Sequence, residues 1–591
     1  LLDAPLARTL DVWLERFTQP AWRGCYLEGW LFEGAPARQA AEVRLAAAGV
    51  QARLRSAYKP LVQHFIDEVD CSSLKAVEVL YPRPAAGAGR RFALEAYPLA
   101  GVLPPGGVRF TARDDAQPWY EVRLHFKDGQ RSSQRVHCPG RLHLDATGAP
   151  ALSPCGWLRV GSAPGLGDLL DEPATTEFEQ AYALALHAVR THPWPHQEPY
   201  FERLEIRVDL PGYEQAIAWA QESLSTLEAM HEDLYFSLLE VFQQHSGREV
   251  GDRRLQPGQV VPDVRGDTAL PRVQVALRPF PAPSGDDTAR SPDAAPTPLT
   301  LAEREAPLPA DQVADALRAL PGESFHAPTR QGRTVWGRYV HGAQKPVLIS
   351  AGQHANETSG VVGALRAARV LAAQPGAHFA VIGLENPDGY ALHRELCAHH
   401  PQHMHHAARY SALGDDIEYR ECPPLLEREA RQTALAVSGA RLHVNLHGYP
   451  AHEWTRPLSG YVPRGFEQWM VPKGFFLILR HHAGWQQPAR ALLEAVCAQL
   501  VEVEGLREFN ERQRALFEAH AGPLPYELVH GIACMQAETA HDAPVTLITE
   551  FPDETVYGAA FRFAHTVQMA TALAAQRAWQ TLAPQDDAPG G

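Results

Sequence analysis

Four residues have the types and placement for hydrolytic metal chemistry. His354 and Glu357 lie three positions apart in Gln353-His354-Ala355-Asn356-Glu357. His447 ends the run Leu442-His443-Val444-Asn445-Leu446 and is followed by Gly448. Glu550 directly follows the apolar run Val545–Thr549. Zinc takes imidazole nitrogen and carboxylate oxygen at about 2.0–2.2 Å, with three protein ligands and a water at catalytic sites. A turn carrying His-x-x-Glu can aim both side chains at one point, and Gly352 permits close backbone approach. The pair alone is a common coincidence, since Glu357 also suits the first turn of a helix. His447 completes a ligand set. A carboxylate at Glu550 could take a proton from water and pass it to a leaving amine. His443 shares a strand face with His447 but is displaced by roughly 13 Å, so it reads as an ordinary strand histidine.

The elements that would position these residues alternate. Strands are expected at Thr334–Val340, Pro346–Ser350, Phe379–Leu384, Leu442–Leu446 and Val545–Thr549. Helices are expected at Glu357–Ala373, Leu425–Ser438, Pro488–Val503, Glu511–Ala519 and Ala559–Thr581. Such alternation predicts an α/β fold with a doubly wound, mostly parallel sheet and helices on both faces. Ligands in these folds bind beyond the carboxyl ends of the strands, where His354, His447 and Glu550 fall.

The order His354-x-x-Glu357, then Glu385-Asn386-Pro387-Asp388-Gly389-Tyr390 after a strand, then Leu446-His447-Gly448-Tyr449, then Thr549-Glu550-Phe551 resembles the zinc metallocarboxypeptidases of the carboxypeptidase A type. His354–Gly360 is also similar to the aspartoacylase and succinylglutamate desuccinylase branch. The resemblance spans about residues 320–580. It implies one zinc ion held by His354, Glu357 and His447, and Glu550 as general base and then acid. It implies Arg409 as the stabiliser of a tetrahedral oxyanion and Asp416 as the carboxylate that orients His354.

The chain departs from that family's pattern at one place. Where the family carries the Asn-Arg pair that clamps a terminal carboxylate, this sequence has Glu418-Tyr419, followed by Arg420. An acidic residue there is expected to repel a carboxylate and favour an amine or cation. Three accounts follow. The clamp comes from elsewhere, with Arg420, Arg456, Arg464 or Lys473 as candidates; or the substrate carries a positive group, as in a diamino-acid peptide; or the scissile bond is an amide of an acylated small molecule. Tyr526 is the candidate for a substrate-capping tyrosine, with Tyr449 and Tyr461 as alternatives. His399, His400, His403, His405 and His406 could hold a second metal, or form a polar loop over the mouth of the site.

Over 591 residues, 45% hydrophobic, two or three domains are expected. Residues 279–310 are rich in proline and read as a linker. They separate a mixed α+β region at 1–278, in one or two modules, from a catalytic domain at 311–585. In the first region Trp119–Lys127, Arg141–Leu144 and 203–208 read as strands, with a hairpin turn at Asp128-Gly129 and a helix over about Tyr213–His231. A formal net charge of −15 argues against a nucleic-acid partner. No run approaches a membrane span of roughly 20 apolar residues. The eight scattered cysteines read as free thiols, which with composition suggests a bacterial cytoplasmic protein. The first residues do not look like a signal peptide, and the missing initial Met leaves an upstream segment open. The expected partner is a peptide or acylated small-molecule substrate, with oligomeric state unspecified. The functions in contention are a zinc hydrolase of amide or peptide bonds, a zinc deacylase of N-acylated small molecules, and a non-catalytic binding scaffold.

Overall fold

The computed structural model describes residues 1–83, 88–96, 98–103, 106–115, 117–144, 150–163, 166–217, 223–266, 270–282, 300–452, 473–540 and 542–582. The C-terminal half is built on a nine-stranded sheet. Its strands are β1 (Glu323–Pro328), β2 (Thr334–Val340), β3 (Val347–Ala351), β4 (Phe379–Ile382), β5 (Leu442–Pro450), β6 (Phe476–His481), β7 (Glu527–Val529), β8 (Ile532–Glu538) and β9 (Val545–Glu554), in the spatial order β1-β2-β4-β3-β5-β9-β6-β8-β7. The α/β expectation holds. The four central strands, β4, β3, β5 and β9, run parallel, as does the pair β6–β8; the remaining neighbours are antiparallel.

Side-chain alternation along these strands separates a helix-packing face from a chemical face. Val347, Ile349, Leu442, Val444, Leu446, Val545, Leu547 and Phe551 join one core with helices Ser359–Ala372, Gln486–Leu500 and Ala559–Thr581. The opposite parity carries Leu348, Ala380 and Ile382 against helix Arg428–Ser438. That same parity holds Ser350, His443, Asn445, His447 and Glu550. His443 is a buried strand histidine, its Nε2 2.8 Å from Ser350 Oγ.

The N-terminal half is mixed α and β. One four-stranded sheet takes the strands Leu2–Pro5, Arg272–Arg278, Arg203–Leu210 and Gln259–Gly266; two more four-stranded sheets and two hairpins accompany it. Trp119–Phe126 pairs with Arg131–His137 around the Asp128-Gly129 turn. The expected helix over Tyr213–His231 is displaced: Glu214–Ala216 and Ser223–Ser225 pair as strands, and the helix is Thr226–Ser246. Its start is fixed by Ser225, whose hydroxyl accepts from Glu228 N at 3.1 Å, a capping bond that outweighs the apolar pattern upstream.

One hydrophobic core runs across both halves. Leu392, Leu396, Ala408 and Tyr410 pack in the same cluster as Leu234, Phe236 and Val260. Of the Pro-rich stretch, residues 283–299 lie outside the described residues, while Leu301 and Leu308 are buried in the C-terminal core. The eight cysteines are free. No described helix is long and apolar enough to cross a membrane.

Candidate metal and catalytic site

The three ligand candidates converge. His354 stands in the turn after β3, Glu357 just before the helix Ser359–Ala372, and His447 near the end of β5. His354 Nδ1 is 2.8 Å from Glu357 Oε1, His447 Nδ1 is 2.9 Å from Glu357 Oε2, and the two Nδ1 atoms are 3.1 Å apart. Four-coordinate zinc with bonds of about 2.0–2.1 Å separates its ligand atoms by roughly 3.3 Å, so these donors fit the ion with small adjustments. Gly352 turns the chain here with φ +68°, a conformation that favours glycine. Gly448 N donates to Glu357 Oε2 at 3.1 Å, and a side chain at Gly448 would collide with the Asp553 carboxylate.

A buried polar ladder orients the first histidine. His354 Nε2 is 3.3 Å from Asp416 Oδ2, leaving Nδ1 for the metal. Gln353 Nε2 donates to Asp416 Oδ1 at 2.9 Å, while its Oε1 accepts from Arg431 Nη2 at 2.7 Å and Asn445 Nδ2 at 3.0 Å. Burial opposes ionisation of Asp416, but the His354 partner holds its carboxyl far below the usual range. Burial likewise opposes ionisation of Glu357, and His354, Arg409 and His447 hold it well below normal. His447 is pushed down by burial.

Glu550 stands opposite His447 in the parallel register between β5 and β9. Burial and then the Glu357 charge push its pKa well up. Burial also pushes Asp553 up to about 7. Carboxylates are thus concentrated around the three donors, as suits a divalent cation, which would pull Glu550 back toward its ionised form. Arg409 donates from Nη1 to Glu357 Oε1 at 2.6 Å, and its Nε has no acceptor among the described residues. The Asn386 side chain fixes this segment, accepting from Gly389 N at 2.9 Å and donating to Tyr410 O at 3.1 Å.

His354, His447, Arg409, Asp416, Glu418, Tyr419 and Glu550 line one cavity of about 320 Å³. Its far wall is apolar, made by Tyr449, Phe476, Ile478, Met535 and Ile548. The Glu418 expectation changes in this setting. Arg480 Nη1 lies 3.0 Å from Glu418 Oε1, and Arg431 and Arg428 flank Oε2. Burial would raise its pKa, but these arginines hold it at about 2. Its charge is therefore met by arginines of the chain itself. Arg420 is seated away from the cavity: its Nε donates to Asp415 Oδ2 at 2.9 Å, Nη2 donates to Ser411 Oγ at 2.7 Å, and Glu427 takes Nη1. Tyr526 packs behind the apolar wall with Tyr449 and Phe476 rather than on the cavity. Lys473 lies over the Tyr449 ring, 5.9 Å from its centre, whereas Arg456, Arg464 and Tyr461 fall outside the described residues. The sequence reading missed Gln353, Asn445 and Arg431; the parity of Asn445 with His447 was the available signal for one of them.

The histidine-rich segment ties the two halves together. His403 Nε2 bonds the Glu214 carboxylate, His406 Nδ1 is 2.5 Å from Glu232 Oε2, and His405 Nε2 is 2.8 Å from His400 O. Only His406 of the five lines the cavity. Glu214, His400 and His403 also place three potential ligand atoms within 4.8 Å of one another.

No protein-family model and no curated protein sequence matches the chain. Among solved structures, it is similar to a metallo-carboxypeptidase from Burkholderia cenocepacia at 13% identity, covering 47% of this chain and 70% of that one, with a TM-score of 0.30. It is similar to a murein-tripeptide amidase from Escherichia coli O157 at 14% identity, covering 45% and 95%, with a TM-score of 0.24. An aspartoacylase family protein from Mesorhizobium loti matches at 14% identity, over 42% and 68%, with a TM-score of 0.22. Similarity at this level carries no argument about substrate or chemistry, which rest on the site itself. The structural match to metallocarboxypeptidases, a murein-tripeptide amidase and an aspartoacylase family protein extends over about 45% of the chain.

Proposed function

We propose that the C-terminal half is a zinc-dependent hydrolase of amide or peptide bonds. The observation that supports this reading most is the convergence of His354, Glu357 and His447 on one point, with Glu550 on the same face of the sheet and the same cavity. His354, Glu357 and His447 would hold the ion. When bound, zinc supplies a Lewis acid that polarises a carbonyl and acidifies a water. Glu550 takes the proton from the attacking water on one carboxylate oxygen and returns it to the leaving nitrogen. Arg409 offers guanidinium hydrogens to the oxygen on which negative charge develops. Asp416 keeps His354 in the tautomer that leaves Nδ1 free. The apolar wall excludes water and holds an apolar side chain.

The test is mass-spectrometric analysis of products from free-acid peptides, amidated peptides, diamino-acid peptides and N-acyl amino acids, with Glu550→Gln as control. Zinc-loaded wild type that hydrolyses none of these, or a Glu550→Gln variant as active as wild type, sinks the assignment. A deacylase of N-acylated small molecules is the second reading. The cavity favours it, since about 320 Å³ lies at the small end of ligand sites and suits a single acylated amino acid.

A further inference from the structure

The cavity has one wall that the C-terminal half does not supply. Arg253, in the loop between helix Thr226–Ser246 and strand Gln259–Gly266 of the N-terminal half, lines it. That loop is bound to the catalytic side by a continuous row of bonds. Asp416 N donates to Arg253 O at 2.9 Å, Gly258 N donates to Leu413 O at 2.8 Å, and Gln256 Nε2 donates to Asp415 Oδ2 at 2.8 Å. The position of Arg253 is therefore set by the same segment that carries Asp416, the carboxylate behind His354.

Three arginines line the cavity, and they differ in what already occupies them. Arg409 is engaged by Glu357 at 2.6 Å, and Arg480 by Glu418 at 3.0 Å. The Arg253 guanidinium is held more loosely, in an ion pair of 3.6 Å with Asp416 Oδ2, 5.8 Å from the centre of the Tyr419 ring and with Tyr410 beside it. Its side chain is 40% exposed. Among the described residues it makes no hydrogen bond, so its planar donor fork faces the cavity unspent. Asp416 lies between it and His354, which places the fork one carboxylate away from the ligand cluster. A guanidinium in that state matches a carboxylate in geometry and charge.

We propose that Arg253, delivered by the N-terminal half, binds a free carboxylate of the substrate, supplying from the other half of the chain the anion clamp that Glu418-Tyr419 does not provide. The proposal rests on the hydrolase reading of the same cavity and narrows it to amides bearing a carboxylate near the scissile bond, with an apolar group toward Phe476 and Met535. It also gives the N-terminal half a role, the delivery of this clamp to the cavity.

The test is calorimetric binding of N-acetyl-Ala-Phe and of its C-terminal amide to the full zinc-loaded chain carrying Glu550→Gln, which prevents turnover. The free acid is expected to bind at least about tenfold more tightly than the amide. Adding Arg253→Gln should remove that preference by weakening the acid alone, and Arg253→Lys should retain part of it. Equal binding of acid and amide, no detectable binding of the acid at millimolar concentration, or a preference that survives Arg253→Gln overturns the proposal. Turnover is read separately with Glu550 present. Absence of hydrolysis with the acid preference intact would defeat the hydrolase reading and leave the Arg253 assignment standing. Hydrolysis of both compounds with no effect of Arg253→Gln would do the reverse.

Discussion

Two clusters of histidine and carboxylate in this protein have the same donor types and different structural settings. His354, Glu357 and His447 are buried at one end of the parallel strands, and two of them have an orienting neighbour: Asp416 behind His354, Arg409 and Gly448 N on Glu357. Glu214, His400 and His403 lie where the two halves meet. There Glu214 keeps 48% of its side chain exposed, the His400 and His403 rings stack 4.3 Å apart, and His403 is engaged by Glu214 and Ser225. Donor type does not make a metal site. What matters is whether the backbone holds the donor atoms aimed at a common point inside a cavity that a ligand can enter. In the first cluster the secondary structure does this; in the second the donors are used to hold two halves of a chain together.

The sharpest way to break this contrast is His447→Ala. It should abolish tight zinc binding, a larger loss than the roughly 10–100-fold that follows removal of an orienting partner, measured by competition with a chelator. Glu550→Gln should retain the metal and lower kcat by about 10²–10⁴-fold on whichever amide proves to be the substrate; metal content and turnover measured on the same sample check it. Asp416→Asn should fall between wild type and His447→Ala, with zinc affinity reduced by about 10–100-fold. An Asp416→Asn protein that binds zinc as wild type does would mean that the ladder through Gln353 and Arg431 does not hold His354.

The second cluster should respond as structure, not as a metal site. His403→Ala should leave zinc stoichiometry at one per chain and cost about 1–2 kcal/mol of stability, read by denaturant unfolding. Two zinc ions per chain, one lost on His403→Ala, would overturn the contrast. Beside that cluster Glu228 is buried against His452, with Nε2 2.8 Å from Oε1, and also accepts from Met404 N. Burial opposes its ionisation, but these partners lower its pKa from 4.5 to about 2. A depressed carboxylate pKa contributes stability above the unfolded value, and that stability is lost as pH falls through the folded value. Between pH 4.5 and 2 this group alone should forfeit on the order of 3 kcal/mol, and Glu228→Gln should flatten that part of the pH–stability profile.

Several elements were legible in the sequence because their causes are local. The final helix at Ala559–Thr581 and the strand at Thr334–Val340 fall where the apolar periodicity puts them. Strand β9 runs on to Glu554, five residues past its apolar run, because it keeps pairing with β5 from His447 to Pro450, a partner its own sequence does not show. The helix expected over Tyr213–His231 failed for the opposite reason: Ser225 caps the chain at a point the apolar pattern does not mark.

The sequence by itself supplied the candidate donors. A strand of period two fixes that Asn445 and His447 share a face, and the end of strand β3 fixes that His354 stands where ligands bind in such sheets, whereas β5 and β9 run on past His447 and Glu550. Only the tertiary structure decided what their surroundings do. Glu418 looked like a charge that would select a cation, and Arg428 and Arg431 from the next helix and Arg480 from strand β6 surround it. The histidines at 399–406 looked like ligands or a polar lid, and carboxylates of the N-terminal half engage His403 and His406. Arg253 carried no motif at all. Its significance comes from which group it fails to bond in the folded chain, and unmet hydrogen-bonding capacity is a property of contacts between remote residues, which no local pattern records.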